Sequence, residues 1–195
     1  MLAQQIVSGL ATGSLYALTA IGIVLIFRNT RTINLAQGDF SMIGAFVALF
    51  AFERFGVGLL GATAITIVAG TALAVAVGRL IIRPIEQADW LTLFTATLGV
   101  FYILHGVAGW IWGRDTKSFP ALFSSEPVSV GGTLISRAHL INMLIAAVVG
   151  GLLYLFFRFT KPGVAMRAIT EDPVAAQLMG IPVRSIALLT WGVGG

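Results

Sequence analysis

Four stretches of this chain, at about 6 to 27, 57 to 82, 91 to 112 and 140 to 158, are apolar for roughly the twenty residues that a helix needs to cross a bilayer core. A shorter apolar run covers about 40 to 52, and another begins near Ile186 and is still apolar at Gly195. Hydrocarbon offers no water to backbone N–H and C=O groups, so runs of this length form helices. The expected fold is all-α: a polytopic membrane protein with five transmembrane helices plus the start of a sixth, in one transmembrane domain over residues 1–195. The last segment, "SIALLTWGVGG", is about half the length of a crossing, so the domain is expected to be incomplete at its C-terminus.

Composition agrees, with 57% hydrophobic and 10% charged residues against about 25% charged in an ordinary soluble domain. The net charge of +4 does not indicate nucleic-acid binding, because Lys and Arg sit at helix ends and in loops, where membrane topology places them. Without cysteine there is neither a disulfide nor a thiolate metal site. Met1 to Ser8 lacks the charged opening of a cleavable signal, so the first helix is expected to be retained.

Arg28 and Arg31 follow the first helix and no positive charge precedes it, which puts the N-terminus outside and residues 28–39 on the cytoplasmic side. With alternating spans, inside loops carry eight basic residues and outside loops carry four (Arg54, Arg114, Lys117 and Arg137). Trp90 at one end of helix 4 and Trp110 and Trp112 at the other suit the two headgroup layers. The external loop, 113–139, holds Pro120, Ser124, Ser125 and Pro127, and its "VSVGGTLIS" reads as a short hairpin around Gly131 and Gly132.

Catalytic motifs are missing. Lys117 and Lys161 lie in no Gly-rich phosphate turn, no H-E-x-x-H occurs, and no G-x-S-x-G is present. No catalytic residue, metal site or cofactor is called for, and an intramembrane enzyme is a distant reading.

Within the spans, Gly9, Gly13 and Ala17 lie four apart on one face of helix 1. Tight helix packing is the simpler reading, and a smooth wall of a solute path, with Ser8 or Ser14 touching solute, is the other. His105 is expected to be a neutral histidine bonded to a neighbouring helix, since the apolar runs offer no carboxylate for a proton relay. "TINLAQGDFSM" (32–42) places Asn34, Gln37, Gly38 and Asp39 next to the bilayer. Gly38 is read as ending one element and Asp39 as capping the next helix, while Asn34 and Gln37 support a broken element beside a solute path.

In "RAITEDPVAAQLMGIPVRS" (167–185), Asp172 can cap, Pro173 fits the first helical position, Gly180 suits the position after the end, and Pro182 blocks continuation. The spacing predicts a two-turn helix from Pro173 to Met179, with Val174/Leu178 and Ala175/Met179 presenting an apolar surface. So short a helix needs tertiary support, for which a partner protein is the candidate.

This segment resembles the cytoplasmic coupling loop of ABC importer permeases, and "MRAITEDPVAAQLMGI" is similar to that of the branched-chain amino acid permease family. The opening "GLATGSLYALTAIGIVLIFRNTRTINLAQGDFSMIGAF" resembles the same family's N-terminal half, where a basic stretch leads into I-N-x-A-x-G-D. The two motifs lie in the family's order, about 130 residues apart. Gln37 stands where many relatives have His. The resemblance implies a permease subunit of a bacterial inner membrane, pairing with a second permease, cytoplasmic ATP-binding subunits and an external solute-binding protein. ATP hydrolysis would lie on a separate subunit, docked on the coupling loop at 159–184 through Glu171, Asp172, Ala175, Ala176 and Gly180. The implied solutes are branched-chain or related amino acids, with urea or short amides as the alternative. A self-sufficient secondary transporter or channel is the rival from another class, and the lack of intramembrane carboxylates counts against it.

Overall fold

A computed structural model of the chain describes residues 2–113, 115, 117, 127–130 and 133–195. Pro120, Ser124, Ser125, Gly131, Gly132 and Arg114 lie outside the described residues. The order is α1 (Leu2–Thr30), α2 (Gln37–Phe55), α3 (Leu59–Val77), α4 (Trp90–Trp112), β1 (Pro127–Val130), β2 (Thr133–Ser136), α5 (Arg137–Phe159), α6 (Lys161–Glu171), α7 (Pro173–Leu178) and α8 (Val183–Gly194). The body is all-α and polytopic. Its short hairpin is antiparallel, with Pro127 opposite Ser136 and Val130 opposite Thr133.

Among the described residues four helices are long and apolar enough to cross a membrane: Gln4–Thr30, Leu59–Ile85, Trp90–Trp112 and Arg137–Phe159. The expected five would require α2 as well, and α2 falls short for a physical reason. Asp39 occupies its first turn and Arg54 its last, leaving about 13 apolar residues, or about 20 Å of helix, against a core of about 30 Å.

Local sequence sets the helix ends. Gly56, Gly113 and Gly180 take φ values of 59°, 84° and 82° just past the ends of α2, α4 and α7, a region closed to most L side chains. The α3 rod continues through a π-helical turn at Gly78–Ile82 into a 3-10 turn at Arg83–Ile85. At the start of α4, Asp89 accepts a 2.6 Å bond from the Thr92 hydroxyl, which holds its carboxyl below the usual range.

α8 is the central wedge, packed against both α1 and α3. Its Trp191, 1% exposed, joins the main core with Ile26, Phe40, Ala74, Val77 and Leu104. The indole fits because Gly78 has no side chain: a Cβ there would lie 2.7 Å from Trp191 Cγ. The π-helical turn thus begins where the tryptophan packs, in keeping with the tendency of such bulges to mark special contacts. A second core, of Leu25, Met166, Ile169, Ala176 and Ile186, joins α1 to α6, α7 and the start of α8.

Overpacking at Gly78 is expected to destabilise this wedge. Gly78→Val should lower the apparent melting temperature of the detergent-solubilised protein by an amount equivalent to about 1–3 kcal/mol. Gly70→Ala, where nothing lies within 4 Å of an added Cβ, should leave it unchanged or slightly raised. Tryptophan fluorescence during heating reads both, and equal melting of the two variants would remove Gly78 from this role.

Candidate functional site

The sharpest break in the helical rods lies between α1 and α2. Arg31 turns the chain at φ 55°, and residues 31–36 then fold back along α1. A Cβ on Gly22 would come within 3.0 Å of Gln37 Nε2, so the side chain of the first α2 residue reaches α1 eight positions before Thr30, about 12 Å back along the helix. Freed backbone groups at that depth need internal partners.

Buried polar side chains supply them. Asn34 Oδ1 accepts from the Ala36 N–H at 3.2 Å, and the Asn34 amide donates to Gln37 Oε1 at 2.9 Å. Gln37 Nε2 donates to the Gly194 carbonyl of α8 at 2.7 Å. On α4, the wholly buried Thr97 hydroxyl lies 2.9 Å from both Ile33 O and Phe94 O, sharing one proton between two carbonyls. Asn34 and Gln37 are 2% and 6% exposed, and the bonds named here keep their amides engaged with the protein itself. Gly38 is exposed with open space at its Cβ position.

Two sequence expectations are corrected here. Gly38 does not end an element, because it is the second residue of α2. Asp39 does not cap that helix: the N-cap position is Ala36, without a side-chain bond, and Asp39 is the third helical residue. Its side chain points across to α4, where Asp39 Oδ1 lies 3.1 Å from His105 Nδ1. The intramembrane histidine therefore has a carboxylate partner, which the sequence concealed because Asp39 lies outside the apolar runs. Asp39 is buried, whereas the His105 side chain is 66% exposed and its ring stacks on Phe101 at 5.8 Å.

His105 also lines a cleft of about 700 Å³ between α2 and α4, walled by Met42, Phe46 and Trp110 and reaching Asp115 past the end of α4. Phe46 stacks on Trp112 at 5.2 Å, so α2 runs beside the last two turns of α4. Among the described residues no cluster of three or more His, Asp or Glu could hold a metal ion.

At the other end of the bundle, Asp172 caps α7, accepting from the N–H groups of Val174 at 2.8 Å and Ala175 at 3.0 Å. Gly180 N–H returns to Gln177 O and Ile181 N–H to Ala176 O, both at 3.0 Å, which is the paired closure of a Schellman turn. Ala176 is 4% exposed in the second core, while Val174, Leu178 and Met179 stand 65%, 84% and 83% exposed. Glu171, Asp172, Ala175 and Gly180 are exposed as well. α7 is thus anchored by one small residue and presents its larger apolar ones outward. A cleft of about 640 Å³ beside it is lined by Arg31, Arg83, Glu86 and Arg184, with Arg184 Nε 3.8 Å from Glu86 Oε1.

α6 escaped the sequence reading. Its signals were present: Thr160 accepts from the Gly163 N–H at 3.1 Å as the cap, and Pro162 occupies the first turn. A Cβ at Gly163 would collide with the Phe156 carbonyl and the Phe157 backbone, so close approach to α5 is its role. Gly9, Gly13 and Ala17 are exposed, with nothing within 4 Å of a Cβ at either glycine. The close-packed glycine of α1 is Gly22, which meets the Gly194 carbonyl.

Comparison with known proteins gives one family. A model described as the permease component of branched-chain amino acid transport systems matches residues 5–195. The chain is 29% identical over 203 residues to the high-affinity branched-chain amino acid transport system permease protein BraD of Pseudomonas aeruginosa, covering 98% of this chain and 66% of that protein. It is 28% identical over 210 residues to Escherichia coli LivH, a protein of the same description, with the same coverages. With a probable branched-chain amino acid transport permease protein LivH of Methanocaldococcus jannaschii it is 31% identical, covering 93% of this chain and 59% of the relative. The chain therefore spans about 66% or less of the length of these relatives. No solved structure matches.

Removing the Gln37 amide is expected to loosen the break. Gln37→Leu leaves the Asn34 amide and the Gly194 carbonyl without this partner and should destabilise the protein by about 1–3 kcal/mol. The matching observation is faster backbone hydrogen exchange in 31–40. Unchanged exchange there would show that the Gln37 bridge does not hold the segment.

Proposed function

The chain belongs to the family of branched-chain amino acid transport permeases, and from this premise we propose that it is the membrane subunit of an ABC importer for branched-chain or related amino acids. In this reading the subunit sits multi-pass in a bacterial cytoplasmic membrane with its N-terminus outside. It pairs with a second permease and receives solute from an external binding protein. It is not itself an enzyme, because ATP hydrolysis belongs to separate cytoplasmic subunits.

The observation that carries the proposal is α7. Its three exposed apolar side chains stand on a helix capped at both ends, in the segment that resembles the family's coupling loop. A two-turn helix is unstable alone, yet this one is held by Ala176 in the second core and by a Schellman closure. A rigid apolar knob outside the bilayer suits insertion into a groove of an ATPase subunit. The closing motion of the ATPase then reaches the membrane through α6 and α8, the neighbours of α7 in sequence and space.

The Asp39–His105 pair favours a second reading, a proton-coupled carrier, because it supplies the carboxylate that such a relay requires. Family membership weighs against that reading. ATP-independent uptake driven by a pH gradient alone would support it. Urea and short amides remain the alternative solutes of the importer reading.

Leu178→Asp is expected to weaken ATPase retention at least tenfold during co-purification of the assembled transporter, while membrane insertion and melting stay unchanged. Leu178 is 84% exposed, so the folded subunit itself loses little. Full retention of the ATPase by this variant would exclude α7 as the docking element.

A further inference from the structure

The residues at the break divide into two sets. Asn34, Gln37 and Thr97 bond to each other or to backbone carbonyls, and so are occupied in holding the chain. Asp39 and His105 differ, because the pair joins a buried carboxylate to a ring that faces a cleft. An ionised carboxylate only accepts hydrogen bonds, so the Nδ1 facing Asp39 carries a proton. In the neutral ring this leaves Nε2 as an acceptor at the exposed edge.

The cleft has a definite chemistry. Among the described residues that line it there is no Lys or Arg, and the acid Asp115 lies near its mouth. Met42, Phe46 and Trp110 give it apolar and aromatic walls. Its volume of about 700 Å³ falls within the ~300–1,000 Å³ of small-molecule pockets. Among the described lining residues the charge is negative, which suits a positive group, and the walls suit an apolar tail beside it.

The geometry points to an ammonium-binding subsite at Asp39–His105, which takes the amino group of a hydrophobic amino acid while its aliphatic side chain lies against Met42, Phe46 and Trp110. His105 contacts the ammonium through its exposed edge, and Asp39 behind it supplies the compensating charge. A neutral amide offers no such charge, so the subsite separates amino acids from urea and short amides. The inference deepens the importer reading by naming the solute group that is recognised, and rests on that reading for the transport role.

Cysteine protection tests it, because the chain contains no cysteine of its own. Gly106→Cys and Gly109→Cys place single thiols at positions that line the cleft, and an added Cβ at Gly106 meets nothing within 4 Å. In membrane vesicles holding the assembled importer, each thiol is modified by a small water-soluble methanethiosulfonate, and the rate is read from the mass of this chain. Saturating leucine or 3-methylbutylamine should slow modification at least threefold. 4-Methylpentanoate and isovaleramide, which share the apolar tail but lack the ammonium, should leave the rate unchanged. Adding His105→Phe to either variant should abolish the protection. Equal protection by the carboxylate or the amide, protection that survives His105→Phe, or no protection at all would overturn the proposal; the ligand series decides it without the phenylalanine variant. ATP-dependent leucine uptake by the same vesicles tests the importer reading separately. Protection without uptake would retain the subsite and remove the importer reading, and uptake without protection would remove the subsite alone.

Discussion

Backbone groups freed inside a bilayer must find partners within the protein, and the return of the chain at residues 31–36 is where that constraint acts most strongly. An unsatisfied amide removed from water costs several kcal/mol, so a break of this kind persists only with polar side chains placed to meet it. Asn34, Gln37 and Thr97 meet it from three directions: the broken segment itself, the first turn of α2, and α4. Two further features depend on this arrangement. The Gln37 side chain reaches α1 at Gly22, and Asp39, two residues on, stands beside His105. The Gln37 amide also reaches the carbonyl of Gly194, tying the break to α8.

α8 therefore joins two places that the sequence separates widely. At its start, Ile186 packs with Ala176 of α7, and near its end Trp191 and Gly194 meet Gly78 and Gly22. Glycines at both contacts bring backbones close without side-chain slack. Twelve residues of helix span about 18 Å, enough to carry a displacement of α7 to the break without a flexible joint between them. On the importer reading this is a short and stiff route from the ATPase to the solute path.

Much of this was legible in the sequence, for physical reasons. Long apolar runs have one outcome in a bilayer, and the order Asp172, Pro173, Gly180, Pro182 describes a start and a stop by backbone chemistry alone. What escaped depends on distance along the chain. Asp39 and His105 are 66 positions apart and Gln37 and Gly194 are 157 apart, and no local pattern announces either contact. α6 contains Gly163, a residue that weakens helices in general and here is required by the nearness of α5. Gly9 and Gly13 show what spacing leaves open within a single chain. Their spacing describes a packing face, while the contact that needs a glycine lies two to three turns further on, at Gly22.

The Asp39–His105 pair is not explained by stability. A buried carboxylate is costly to remove from water, so enclosing one between apolar helices does not by itself add stability. The surrounding α2–α4 interface is apolar and aromatic, with Phe46 on Trp112 and Phe101 beside the histidine ring, so an apolar replacement would find ready neighbours. Hydrogen bonding does not require the pair either, because the carbonyls at the break are met by Thr97 and Gln37. A carboxylate buried at this depth, with its one named partner two-thirds exposed to a cleft, is arranged to present charge at that cleft. Selection for a charged solute accounts for that arrangement, and the packing of the helices does not.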